Sequence, residues 1–247
     1  MGDNMKNIDF LKNKIIAHRG IYDNKKIPEN SLGSFKDALK EGYTIELDVH
    51  ITKDNQIVVF HDHNLKRMTN VDNEVEKVNY TDIKDLKLLN TNYKIPLLKD
   101  VLSLVNKKVP IIIELKVKDI KSVGTLEKTL ADMLDNYDGE FAVKSFNPFS
   151  VRWFKKYRNS YVRGLLVSNR NKTIKDKILH NMYLLNICSP DFISCSYKMF
   201  DNKKINKLKK NHVILAWTIK DTKDFIKYKK CFDNLICENK EVLKWKN

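Results

Sequence analysis

Eight short apolar runs recur along the chain with segments of helical periodicity between them, and this alternation limits the possible folds more than any other feature. The runs are KIIAHRG (14–20), YTIELDV (43–49), VPIIIELK (109–116), EFAVKSF (140–146), YVRGLLV (161–167), DFISCS (191–196), HVILAWT (212–218) and NLICE (234–238). Apolar residues at helical spacing appear in SLGSFKDALKEG, LLKDVLSLVNKK, VGTLEKTLADMLDNY, SVRWFKKYR, KKINKLKKN and DTKDFIKYKKC. Strands alternating with helices predict parallel βαβ units. Eight such units in 247 residues predict an α/β fold, a closed (β/α)8 TIM barrel formed by residues 1–247 as one domain. An open doubly wound sheet also fits the alternation, but no glycine-rich dinucleotide or P-loop fingerprint follows any strand.

One region departs from the pattern. After the second run the chain continues HITKDNQIVVFHD, and a polar stretch follows from about Leu65 to Pro96. Asp54-Asn55 reads as a two-residue hairpin turn, since Asn and Asp tolerate left-handed backbone. That turn pairs Lys53 with Gln56, Thr52 with Ile57 and Asp48 with His61. Opposed residues share a face, with Cβ atoms about 4.5–5.5 Å apart, so the register sets His61 beside Asp48, and Glu46 lies on the same face two residues back. The segment TDIKDL predicts a short helix capped by Thr81 and ending near Leu89. Residues of about 50–96 therefore form a β-hairpin and a small insertion over one end of the barrel.

Function in a parallel barrel sits at the C-terminal ends of its strands. Those ends carry His18-Arg19, Glu46, Asp48, Glu114, Lys116, Lys144 and Trp217. Acids inside apolar runs need a partner, because an unpaired buried charge is costly, and a divalent cation is a natural one. A structural alternative for Glu114 is an ion pair with Lys116 on the same face. Asn30 or Ser31 is suited to cap the helix that begins at SLGSF.

The remaining composition mostly excludes. No run approaches the roughly 18 apolar residues of a membrane span, and MGDNMKNIDFLKNK lacks a signal peptide's apolar core, so a cytoplasmic enzyme is the expectation. The four cysteines lack Cys-x-x-Cys spacing and lie in or beside apolar runs, as buried free thiols do. A net charge of +15 suggests a polyanion partner, but the lysines are scattered over the whole chain. They read as solvated faces whose diffuse field draws anionic substrates to a pocket, and no nucleic-acid partner is expected. Nothing in the sequence specifies an oligomeric state. His63, two residues after His61, makes an HDH that imitates a metal motif, yet it is expected at the rim and not as a ligand. His50, His180 and His212 have no supporting context.

The ordered pieces HRG, PENS, ELDV, TKD, VVFHD with L-x-R-x-T, IPLLKDVL, IIIELK, KSFNP, GLL and AWT resemble the glycerophosphodiester phosphodiesterase family over nearly the whole chain. That resemblance implies the same barrel and a metal-dependent phosphoric diester hydrolase releasing glycerol 3-phosphate and an alcohol. It assigns Glu46, Asp48 and Glu114 to one divalent ion, Mg2+ or Ca2+, and oxygen-only donors suit such hard cations. His18 and His61 match the acid–base pair. Arg19, Lys116 and Trp217 match substrate-binding positions, and Glu29 and Asn30 match loop positions that support the metal or Arg19. Two departures stand out: Asn55 replaces the usual turn glycine, and Cys237-Glu238 replaces Thr-Asp after the last strand. Two other readings compete: phospholipase-D-like hydrolysis of lysophospholipids, and a non-catalytic basic module that binds polyanions.

Overall fold

A computed structural model of the chain describes residues 6–168, 185–238 and 240–243. Among the described residues nine strands form the sheet: β1 (Ile16–His18), β2 (Thr44–Ile51), β3 (Ile57–Val59), β4 (Ile111–Leu115), β5 (Phe141–Ser145), β6 (Val162–Val167), β7 (Phe192–Ser196), β8 (Val213–Ile219) and β9 (Asn234–Cys237). All but β3 are parallel and follow in ring order, and the pairings of β1 with both β2 and β9 close the ring. The eight runs are thus the eight barrel strands. Helices Leu32–Glu41, Leu98–Val105, Thr125–Leu134, Pro148–Tyr157, Lys203–Leu208 and Thr222–Tyr228 occupy the predicted connections.

Strand parity divides the core in two. Odd-numbered residues such as Ile45, Leu47, Ile113, Val143, Leu165 and Ile193 share one apolar cluster with Phe35, Val101, Leu130 and Phe154 of the surrounding helices. Successive strand side chains alternate faces, so the residues between them line the barrel interior. The lowest interior layer is apolar: Ile16, Ile112, Ala142, Val162, Phe192 and Ile236, with Phe10 and Leu11 packed onto it from the 3-10 turn Asp9–Leu11. Thr44, the register partner of Ile16, is a buried polar side chain at this level, and the charged side chains gather toward the C-terminal ends of the strands.

The helix Leu32–Glu41 shows how local sequence fixes an element. Ser31 accepts from the Ser34 amide at 3.2 Å, Ser34 returns a bond to the Ser31 amide, and Gly42 closes the helix in the left-handed conformation. Asn30 is not the cap, which leaves its side chain free for the barrel mouth. Among the described residues no helix is long and apolar enough to cross a membrane. His180 lies outside the described residues.

The hairpin forms, but in a different register. Val49 pairs with Val59, His50 with Val58 and Ile51 with Ile57, while the Thr52 amide donates to the Gln56 carbonyl at 2.9 Å. The loop is therefore three residues, Lys53 to Asn55, with Asn55 left-handed at φ 58°, a common hairpin alternative to the two-residue turn. Asp48 consequently faces Phe60, whose amide donates to its carbonyl at 3.0 Å, and not His61. A one-residue slip exchanges the faces of a strand, so the pairing route to His61 fails. The insertion beyond has its own apolar cluster, which includes Phe60, Leu65, Met68, Ile83 and Leu88. Its short helix runs Tyr80–Ile83, not to Leu89, and is preceded by Asn79 instead of Thr81, with the Asn79 amide bound to Asp82.

Candidate active site

Above the apolar layer the even-numbered interior positions yield His18 on β1, Glu46 and Asp48 on β2, Glu114 on β4 and Lys144 on β5, while on β8 the parity is reversed and the odd-numbered Leu215 and Trp217 face inward. Register partners bring them level: His18 pairs with Glu46, Asp48 with Glu114, and Glu114 with Lys144. His18, Glu114, Lys144 and Trp217 line a cavity of about 790 Å³ at the C-terminal ends of the strands, and Glu46 and Asp48 are fully buried beside them. His61, Asp62 and His63 reach its wall from the hairpin, because β3 ends at Val59 and the chain turns inward beyond it.

The loop after β1 is held under strain. Arg19 has φ 58° and Asn30 φ 53°, conformations that non-glycine residues adopt at a cost. Backbone bonds fix both: the Arg19 amide donates to the Glu46 carbonyl at 2.8 Å, and the Asn30 amide donates to the Arg19 carbonyl at 3.1 Å. Gly20 is required between them, since a Cβ there would lie 2.7 Å from the Ser34 backbone. This arrangement sends Asn30 Nδ2 to Asp48 Oδ2 at 2.8 Å and Arg19 Nη1 to Glu29 Oε1 at 2.8 Å. Arg67, in the insertion, bonds Glu29 at 2.7 Å and Asp62 at 2.5 Å, tying the insertion to the loop.

Glu46 and Asp48 are fully buried and Glu114 nearly so, and one oxygen of each lies within 4.8 Å of the others. Three cations stand among them. Lys116 Nζ contacts Asp48 Oδ1 at 2.9 Å and also bonds Glu114, Lys144 Nζ lies 2.7 Å from Glu46 Oε1, and Arg19 Nε lies 3.2 Å from Asp48 Oδ2. The ion pair between Glu114 and Lys116 is present, so that alternative coexists with the carboxylate cluster. Burial opposes the charge of Asp48, but Lys116 and Arg19 outweigh it and hold the carboxyl well below its usual range. Burial likewise disfavours charge on Lys116, yet Asp48 and Glu114 raise its pKa above the usual value. Glu46 Oε1 and Asp48 Oδ1 are buried without a well-directed hydrogen bond despite these charged neighbours. Oxygen donors with spare lone pairs in an all-carboxylate set fit a hard divalent cation.

His18 sits deep, with Nε2 3.9 Å from Glu46 and Nδ1 3.8 Å from Glu238. Burial first, then the Arg19 charge, pushes its pKa well below the usual value. His61 is more open and holds Asp62 Oδ1 by its Nδ1 at 2.5 Å. Trp217 lines the cavity edge-to-face with Phe146, ring centroids 5.7 Å apart.

Every site residue singled out in the sequence therefore lies at or beside this cavity. Three contributors did not stand out there. Glu238 directly follows the last strand, lies beside His18 and is paired with Lys220 at 3.0 Å; its place just past a strand's C-terminal end was the available signal. Arg67 was visible only as part of L-x-R-x-T. His50 is fully buried on β2 and touches Glu76 and the His61 carbonyl, so its lack of context in the sequence is corrected by the fold.

A polar cavity at this end of a parallel barrel is where the active site of a barrel enzyme lies. Comparison with known proteins specifies the kind. The profile of the glycerophosphoryl diester phosphodiesterase family matches residues 18–237. A glycerophosphodiester phosphodiesterase from Caldanaerobacter subterraneus subsp. tengcongensis is 34% identical over 165 residues, 63% of this chain and 67% of that protein. A human lysophospholipase D is 34% identical over 140 residues, 51% of this chain and 42% of that one. An Oleispira antarctica phosphodiesterase, solved with its product sn-glycerol-3-phosphate, superposes with a TM-score of 0.78 at 23% identity, covering 92% of this chain and 93% of that one. The chain belongs to the glycerophosphoryl diester phosphodiesterase family, and with it to the phosphodiesterases.

Proposed function

We propose that this chain hydrolyses glycerophosphodiesters to glycerol 3-phosphate and an alcohol, with one divalent ion, Mg2+ or Ca2+, held by Glu46, Asp48 and Glu114. The observation that carries this reading is the charge balance of the cavity. Three buried carboxylates meet three cations, Arg19, Lys116 and Lys144, so the ring is close to neutral by itself. A bound divalent ion would make it positive and polarise a phosphoryl oxygen.

The protein's own groups account for the rest. Arg19 presents a planar guanidinium to phosphoryl oxygens, held by Glu29 and by Asp48. Lys116 adds a second positive charge at the cavity wall. Cleavage of the P–O bond requires one proton removed from the attacking hydroxyl and one delivered to the departing alkoxide. His18, at the end of β1, and His61, in the segment after β3, border the same cavity and fill these two roles. The attacking hydroxyl is the glycerol oxygen beside the phosphate; it forms a cyclic phosphate and expels the alcohol, and water then opens the ring to glycerol 3-phosphate. Trp217 bounds the glycerol side. Glu29 and Asn30 act through Arg19 and Asp48.

The test is glycerol 3-phosphate release from glycerophosphocholine with Mg2+, with Ca2+ and with EDTA. Metal-dependent release, reduced about 10²–10⁴-fold in His18→Ala, is the expected outcome. No release by wild type under any metal would overturn the assignment. The apolar wall of Phe146, Leu166 and Trp217 and the human lysophospholipase D relative favour a second reading, lysophospholipid cleavage. Lysophosphatidylcholine in a parallel assay decides between them.

A further inference from the structure

Next to the cavity, beyond the barrel strands, lies a second convergence of ligating atoms. Glu76 Oε1 is 2.8 Å from His50 Nδ1 and 2.7 Å from His63 Nδ1, and the three ligand-bearing residues keep one atom each within 4.8 Å of the others. The imidazoles meet edge-to-face with centroids 4.8 Å apart.

The hydrogen bonds fix what these atoms can offer. His50 Nε2 faces the His61 carbonyl at 3.2 Å. A carbonyl only accepts, so Nε2 carries the ring proton and Nδ1 turns a bare lone pair toward a carboxylate oxygen. Two lone pairs aimed at each other repel unless a positive charge stands between them. The ring is fully buried, and a cation between the two lone pairs satisfies both at once. The other carboxylate oxygen, Glu76 Oε2, is buried with no hydrogen-bond partner. A ring N–H given to a backbone carbonyl while the opposite nitrogen faces the cluster is the usual orientation of a metal-bound histidine.

We propose that His50, His63 and Glu76 bind a borderline transition-metal ion of the Zn2+ class, at a site separate from the carboxylates of the cavity. Two imidazoles and one carboxylate suit zinc, whereas the oxygen-only set at Glu46, Asp48 and Glu114 suits Mg2+ or Ca2+. His63 is partly exposed, with a side chain 38% accessible, so the ion's fourth position opens to solvent and a water completes a tetrahedron. The ligands come from β2, from the segment after β3, and from the 3-10 turn Val75–Lys77. The Val75 amide already bonds the His63 carbonyl at 2.9 Å. Zinc here pins the insertion to the barrel and, through His50 Nε2, fixes the backbone that carries His61.

The experiment strips the protein of metal, adds excess Mg2+ to occupy the carboxylate set, then measures zinc retained after gel filtration and the visible absorption developed with Co2+. Wild type is expected to retain one equivalent of zinc and to give a tetrahedral Co2+ spectrum. His63→Ala and Glu76→Gln each weaken zinc binding by about tenfold or more, while Glu114→Gln leaves it intact. Circular dichroism confirms that each variant is folded, and partly exposed His63 is the safer of the two substitutions. Absence of retained zinc in wild type overturns the proposal. So does equal retention in His63→Ala and Glu76→Gln, or loss only in Glu114→Gln, because the ion would then lie elsewhere.

Discussion

Two clusters share one face of one strand and differ in almost everything else. Glu46, Asp48 and His50 follow at two-residue spacing on β2, so their side chains leave the same side, about 6.6 Å apart in turn. The first two point into the barrel, where β4 and β5 bring Glu114, Lys116 and Lys144. The third projects where β2 outruns the ring, and there the insertion brings His63 and Glu76. Oxygen donors balanced by ammonium and guanidinium groups make the lower cluster a hard, charged cage. Imidazole nitrogens around one carboxylate make the upper one softer and nearly free of cations. The chemistry of a position on a strand is thus set by the element that packs opposite it.

The largest effect is expected from breaking the lower cluster. Asp48→Asn removes the charge that faces both Arg19 and Lys116. It should cut phosphodiesterase turnover by roughly 10²–10³-fold or more. It should also destabilise the fold by about 3 kcal/mol, because two buried cations each lose one of their two carboxylate partners. Chemical denaturation alongside the assay separates the two losses, and unchanged turnover in a folded variant would refute the cage as the working centre.

A smaller effect contrasts the clusters directly. Zinc added over saturating Mg2+ at about 100 times its Kd should stabilise wild type by about 2.7 kcal/mol, roughly 5–11 °C in a chain of this size. His63→Ala should not respond. A wild-type melting temperature indifferent to zinc would leave the upper cluster as a hydrogen-bonded group and nothing more.

The smallest effect tests the tie between the insertion and the Arg19 loop. Burial works against the charge of Glu29, but hydrogen bonds from Arg67 and Asn24 and the charge of Arg19 outweigh it and hold its pKa at about 2, against an ordinary 4.5. A carboxyl depressed in the folded state adds stability above its unfolded pKa and loses it as pH falls through the folded one. Glu29 therefore stabilises fully above about pH 4.5 and ceases to do so by about pH 2. Arg67→Gln should move acid unfolding to higher pH and cost about 1 kcal/mol at neutral pH, reduced by screening at its half-exposed guanidinium. Coincident acid transitions in the two proteins would show that Arg67 does not hold Glu29.

Legibility from sequence followed the range of the forces involved. The strands were readable because burial on both faces demands continuous apolar runs, and HRG, ELDV and IIIELK ended those runs in polar groups. The hairpin register was not, because Asp54-Asn55 suits a two-residue turn and a three-residue loop almost equally. Only the β2–β3 hydrogen bonds distinguished them. His61 reached the cavity by a bend after Val59, not by the facing position the turn implied. Glu238 looked like an irregularity until β9 closed on β1 and set it beside His18.

The sequence by itself determined the order of strands and helices and which strand ends carry acids, histidines and lysines. These depend on alternation and on residues a few positions apart, which a linear pattern records. Tertiary structure alone decided that Lys144 pairs with Glu46, that Arg67 ties Glu29 to Asp62, and that His50 meets His63 and Glu76. Such contacts depend on where separate elements lie once the ring has closed, and no local preference of the chain specifies that distance.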